Sequence, residues 1–328
     1  MTNIKTLFKF KSVIELLDYF KDEKTCIAFY EQIRWNGSPV CPHCGSTKTP
    51  YRTNRGFRCS EKLCTKKFTV KVGTIFEQSH LPLRTWFAAF YLITAHKKGI
   101  SSLQLGRDLN ICQKTAWFLL HRIRETLKAE SPVMLRNSVE VDETYIGGVE
   151  GNKHANKRTA PLYESTTAKE RKDLKKEGVI DEIRWDKIAV LGLVERDGKV
   201  VAKRIPDTKA ATIIPIIEKH VEKGSTMLTD EFYVYGQLEL KGYFHKSIQH
   251  NLKIYVQGQT HTNTIENFWS VLKRGLYGVY HYTSKKHLDR YLDEFCARYN
   301  SRDLTGAERF EKFLHQAENR LSWKELVA

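Results

Sequence analysis

The sequence predicts an α/β fold in its second half, preceded by a cysteine ribbon and a small helical unit. Three observations carry that prediction. Strand-length apolar runs recur at residues 137–147, 188–205 and 225–230. Four cysteines between 41 and 64 stand in two close pairs. Residues 261–275 repeat apolar side chains at helical spacing.

The elements divide the chain into a helical segment (1–38), a ribbon (39–76), a helical unit (77–134), an α/β domain (135–305) with a charged insertion (149–187), and a tail (306–328). A chain of 328 residues suits two or three such domains. It carries 54 Lys+Arg against 38 Asp+Glu, a formal charge of +16. An excess of that size points to an acidic partner, and nucleic acid is the commonest, because cations gain affinity by displacing counterions from phosphates. A basic protein that is merely soluble is the plainer alternative. No apolar run approaches the ~20 residues of a membrane span, and "MTNIKTLFKFKSVIELL" is interrupted by lysines rather than shaped as an address. The expected location is the cytoplasm, on DNA, with no membrane partner. No nucleotide-binding glycine loop is present, so no ATP-driven step is expected.

In "CPHCGSTKTPYRTNRGFRCSEKLC", Cys41 and Cys44 form one knuckle and Cys59 and Cys64 a second, with room between them for a hairpin. Four thiolates so spaced predict one structural zinc ion, with His43 as a competing ligand. Arg52, Arg55, Arg58, Lys66 and Lys67 make the ribbon a cationic, DNA-binding surface. The other cysteines, Cys26, Cys112 and Cys296, fall in apolar helical contexts and are expected to be small core residues.

Residues 87–127 split into three helical runs, broken at Gly99–Ser101 and at Asn110, in the manner of a helix-turn-helix. Ala116, Leu120, Ile123 and Leu127 give the third run a core stripe. Lys114, His121 and Arg124 lie on another face and are its expected DNA contacts.

The α/β domain opens with "SVEVDETYIGG", where Val139 and Val141 alternate with Glu140 and Asp142. A hairpin around Asp197-Gly198, an amphipathic helix and an apolar strand ending at Asp230 follow. Three strands, a helix, a fourth strand and further helices are the order of a ribonuclease-H-like sheet. If the first and fourth strands are neighbours, Asp142 and Asp230 emerge side by side, where open sheets bind ligands. Two adjacent carboxylates repel unless cations lie between them, and magnesium takes such oxygen ligands. Glu143 and Glu231 are the alternative members of each pair. In "HTNTIENFWSVLKRG", Ile265, Phe268, Trp269 and Leu272 form a buried stripe, while Asn263, Glu266, Ser270 and Lys273 form a polar one. Packed on the sheet, that helix would bring Glu266 to the two aspartates as a third carboxylate and Lys273 to a phosphate. Three carboxylates holding two Mg2+ ions (or Mn2+) suit in-line displacement at phosphorus. In the insertion, Lys153, Lys157 and Arg158 suit phosphate contacts. Leu288, Tyr291, Leu292, Phe295 and Tyr299 should make the final helix packing for the sheet.

Together, "VEVDETYIGG", "LTDEFYVYGQL", "HTNTIENFWSVLKRG" and "HLDRYLDEFCARYNSR", behind the cysteine knuckles, resemble the ISXO-like group of DDE-type insertion-sequence transposases over roughly residues 15–305. The resemblance implies a zinc ribbon, a ribonuclease-H-like catalytic domain and strand transfer of a mobile element. It matches Asp142 and Asp230 to the first two acids and Lys273 to the basic residue after the third. The third position is filled in this group by Asn or Glu, and here either Glu266 or Asn263 fits, the latter alternatively as a helix cap. The expected partners are double-stranded DNA, both terminal inverted repeats and target, and further copies of the chain. A non-catalytic DNA-binding regulator and an inactive relic are the competing readings.

Overall fold

The structure, a computed structural model, describes residues 10–128, 133–147, 187–230, 233–248, 261–318 and 320–328. It divides into two compact units, one of Met1–Glu130 with Asp293–Ala328 and one of Ser131–Leu292.

In the first unit, α1 (Val13–Tyr19) and α2 (Glu23–Trp35) begin where Ser12 and Asp22 accept the amide protons of Glu15 and Thr25. Strands β1 (Tyr51–Thr53), β2 (Gly56–Arg58) and β3 (Lys67–Phe68) form an antiparallel sheet. Phe57 and Phe68 stack across it at 5.5 Å, and Trp35 of α2 meets both rings edge-on. The ribbon therefore shares one hydrophobic core with the helices before and after it. The three predicted helices are α3 (Leu83–Ala95), α4 (Ser102–Asp108) and α5 (Gln113–Thr126). The breaks fall where expected, at Gly99 (φ +92°) and Asn110 (φ 51°), and Ala116, Leu120, Ile123 and Leu127 are buried.

In the second unit, β4 (Ser138–Ile146), β5 (Ile188–Glu195) and β6 (Val200–Ile205) are antiparallel, with left-handed Asp197 (φ 55°) in the β5–β6 hairpin. Helix α6 (Ala210–His220) leads to β7 (Thr226–Asp230) and an edge strand β8 (Phe244–Ile248), both parallel additions. The sheet order β6-β5-β4-β7-β8 is that of a ribonuclease-H-like fold. Val139 and Val141 join Ile213, Ile214 and Ile217 of α6 in one core. The opposite face of β4 and β5 receives α7 (Asn263–Gly278), whose stripe Ile265, Phe268, Trp269 and Leu272 is buried as predicted.

The last helices depart from expectation. In α8 (Leu288–Asn300), the part from Asp293 onward belongs to the first unit. There Glu294 is wholly buried against Arg124 (2.6 Å) and also pairs with Arg298, which donates to the Ile93 carbonyl. Residues 306–328 are likewise no tail. Helix α9 (Gly306–His315) starts with a capping box between Thr305 and Glu308 and buries Phe310, Phe313 and Leu314 in the first unit's core, before the short α10 (Trp323–Val327).

Candidate functional site

The four cysteine sulfurs of the ribbon lie within 4.8 Å of one another, and no other group of three or more potential metal ligands converges so closely among the described residues. Local turns bring them together. Gly45 and Thr65, each directly after the second cysteine of a knuckle, take φ +71° and 46°. The Gly45 amide donates to the Cys41 carbonyl and the Thr65 amide to the Glu61 carbonyl. His43 is exposed and outside the cluster, so it does not compete. Four soft ligands in this arrangement fit a tetrahedral zinc ion. Arg52, Arg55, Arg58, Lys66 and Lys67 are all exposed around it, with Arg52 paired to Glu31.

The helical unit offers fewer cations than its sequence implied. Lys114 is exposed at the start of α5, 5.0 Å from the Trp323 ring. His121 and Arg124 are buried at 0% and 1% exposure, so neither can reach a phosphate from this fold. Arg124 is turned inward because buried Glu294 needs a countercharge. Cys26 is a core residue, but Cys112 is exposed at the N-cap position of α5. Lys153, Lys157, Arg158 and Glu231 lie outside the described residues.

In the second unit β4 and β7 are neighbours, as the acids required. Their parallel pairing is Glu140 with Leu228, so Asp142 and Asp230, two residues further on, stand at equivalent positions. Asp142 does not close its strand; β4 continues to Ile146 against β5. Burial pushes the Asp142 carboxyl up to about 6, and the nearby charges of Asp230 and Glu266 add to it. Asp142 on β4 thus feels the charges of one acid on β7 and one on α7. Asp142, Asp230 and Glu266 are the oxygen donors that could hold hard divalent cations here. Glu143 is pushed up to about 7 by burial, with Asp142 and Asp230 contributing, and it accepts a hydrogen bond from the Tyr235 hydroxyl.

Glu140 sets the place of α7. Its wholly buried carboxylate accepts the Thr264 and Ile265 amide protons at 2.9 and 3.0 Å, the Thr264 hydroxyl at 2.9 Å and Arg196 Nε at 2.9 Å. These are amides that a helix leaves unpaired in its first turn, and a negative charge suits that end. Arg196 also donates to the His261 carbonyl at 2.7 Å, holding the chain as it enters the helix. The N-cap position is Thr262, so Asn263 is the first helical residue rather than the cap; it is exposed, as is Glu266, which accepts from the Thr262 hydroxyl at 3.1 Å. Lys273 lies two turns further on, half-buried. The helix is also tied to the first acid, because Trp269 Nε1 donates to Asp142 Oδ2 at 3.0 Å.

The roles of Glu140, Arg196 and Gly192 were not legible in the sequence. Asp142 pairs across the sheet with Gly192, where an added Cβ would lie 2.3 Å from the Trp269 ring. The available signal was an acid at 140 and a glycine at 192 inside strands otherwise rich in apolar residues.

A zinc-ribbon unit and a ribonuclease-H-like unit with acids on neighbouring strands suit a DNA-processing protein of the transposase class. Residues 134–300 match the ISXO2-like transposase domain, and residues 21–67 match the transposase zinc-ribbon domain. The chain belongs to the ISXO2-like transposase family. Over 308 residues it is 29% identical to an uncharacterized protein in transposable element ISH50 of Halobacterium salinarum, covering 91% of this chain and 98% of that protein. An uncharacterized transposase-like protein of Haemophilus influenzae is 31% identical over 106 residues, 32% of this chain and 85% of its own length. A likeness to a chain in the Mos1 strand transfer complex, with TM-score 0.27 and 13% identity over 72% of this chain and 79% of that one, is too slight to bear on fold or function. Among the described residues no helix is long and apolar enough to cross a membrane.

Proposed function

We propose that this transposase binds the terminal inverted repeats of its element, cleaves phosphodiester bonds at the ends and transfers the freed 3′-hydroxyl to target DNA. The observation that carries the proposal is geometric: the parallel β4–β7 register sets Asp142 beside Asp230, and Trp269 of α7, the helix that carries Glu266, donates to Asp142. They would hold two Mg2+ ions, or Mn2+, which when bound supply Lewis-acid stabilisation of the attacking and leaving oxygens. The chain's own contribution is placement. Glu140 and Arg196 hold the start of α7, Glu266 extends from its first turn, and Lys273 meets a phosphate near the reacting bond. Asn263, exposed one turn before Glu266, is the alternative third residue.

The ribbon, with one structural zinc, and its five exposed cations would grip double-stranded DNA, with Lys114 adding a contact from α5. Copies of the chain would associate on the paired ends, and the site of action is the cytoplasm. Incubating the protein with Mg2+ and DNA carrying the element's ends tests this reading. Cleavage at those ends is the expected result, with Mn2+ substituting and Ca2+ supporting binding alone. Binding that leaves every strand intact under all three ions would instead mark a DNA-binding regulator or an inactive relic.

A further inference from the structure

Resting on the catalytic reading above, we infer that Trp269 is a positioning residue whose indole N–H fixes the Asp142 carboxylate, directing its second oxygen to the cation. Trp269 is 4% exposed, and its nitrogen lies 3.0 Å from Asp142 Oδ2. A ring needed only for packing would tolerate many orientations. This one is fixed on three sides. Glu140 sets the height of α7 by accepting two of its first free amides, two residues before Asp142 on the same face of β4. Gly192, the cross-strand partner of Asp142, leaves space for the ring, because any Cβ there would meet Trp269 Cζ2 at 2.3 Å and Cη2 at 2.6 Å. Phe268 lies beside it, with ring centroids 5.3 Å apart.

An aspartate with both oxygens open can bind a cation through either oxygen or through both. With Oδ2 engaged by the indole, Asp142 presents Oδ1 as a single, oriented ligand. Such outer partners of a metal ligand commonly contribute 10–100-fold in metal affinity. Phenylalanine at 269 would keep the apolar ring over Gly192 and remove the N–H alone.

The test uses the full chain labelled with 15N-tryptophan and titrated with Mg2+ alone. The sequence has six tryptophans, and Trp269→Phe identifies the Trp269 indole resonance by its loss. Asp142→Asn, which keeps the ring in place but changes its acceptor, identifies the same resonance should Trp269→Phe not fold. The Trp269 signal is expected to shift saturably with Mg2+ in the wild-type chain and not in Asp142→Asn. Trp269→Phe should need ~10-fold more Mg2+ for half-maximal cleavage while binding end DNA normally. An indole signal unmoved by Mg2+, or an unchanged Mg2+ requirement in Trp269→Phe, would overturn the inference while leaving the catalytic reading intact. A shift that persists in Asp142→Asn with the same Mg2+ midpoint would show that it arises elsewhere than at Asp142 and would also overturn the inference, whereas a wild-type chain that cleaves no end DNA with Mg2+ would overturn the catalytic reading beneath it.

Discussion

The four thiols and the three carboxylates are both candidate metal-ligand sets, assembled in opposite ways. Cys41 and Cys64 are 23 positions apart, and two knuckle turns with their own backbone hydrogen bonds bring all four sulfurs within 4.8 Å. Asp142 and the α7 residue that holds it are 127 positions apart, and the acids do not close as tightly. A metal in the ribbon would complete a small fold. The acids' metal would be gripped by a fold already made, through Glu140, Arg196, Trp269 and Gly192. A ligand set built from local turns can therefore be structural, whereas one built across a sheet can release its ion without unfolding.

The largest effect should separate the two sites outright. Cys41→Ser or Cys59→Ser should abolish binding of about one zinc per chain and unfold the ribbon, because structural zinc supplies on the order of 10–16 kcal/mol of apparent binding free energy. Fresh protein without zinc, or a Cys59→Ser variant with an unchanged melting transition, would break the comparison at its first member. Glu140→Ala comes next. Leaving Arg196 and two helix amides without their buried partner should cost about 3–5 kcal/mol in chemical denaturation, whereas Glu140→Gln should cost less.

Within α7, Glu266→Gln should lower cleavage ~10²-fold, about 2.7 kcal/mol of transition-state stabilisation, in single-turnover assays. Asn263→Ala should change stability by less than the ~1 kcal/mol of a lost cap, since Thr262 holds the cap position and Glu140 takes the amides. The reverse ranking would make Asn263 the third catalytic group.

The smallest effect is a pH dependence. The folded Asp142 carboxyl, pushed up to about 6 from 3.8, holds its proton more firmly than the unfolded chain does. Its stabilising contribution is thus full below the ordinary value and lost as pH rises through about 6. Metal-free protein should be less stable at pH 7 than at pH 5 by about 1 kcal/mol from this group. Asp142→Asn should remove that difference, and Mg2+ should offset it; denaturant midpoints at the two pH values measure both.

What the sequence made legible follows the same division. The cysteine pairs, the three helices of 83–126, the β5–β6 hairpin and both stripes of α7 are local patterns with a period or a turn residue to reveal them. Strand β8 was unreadable because Phe244–Ile248 carries no apolar alternation and lies at the sheet edge, with Phe244 exposed. Arg124 looked like a surface group because its burial depends on Glu294, 170 positions beyond it. Glu140 was legible only as lying with Asp142 on the side of the strand opposite Val139 and Val141; the arrival of α7 makes it a buried anchor. The apolar pattern revealed that α7 packs, but not that Trp269 would spend its N–H on Asp142.

Asp142 and Asp230, carried side by side by β4 and β7, would form the cutting centre with Glu266. The most direct measurement compares wild-type protein with Asp142→Asn and Asp230→Asn, each folded and zinc-loaded, on end-bearing DNA with Mg2+. Wild-type protein should release the ends, and both variants should bind the same DNA with similar affinity and leave it whole. Cleavage by either variant at the wild-type rate would contradict the assignment.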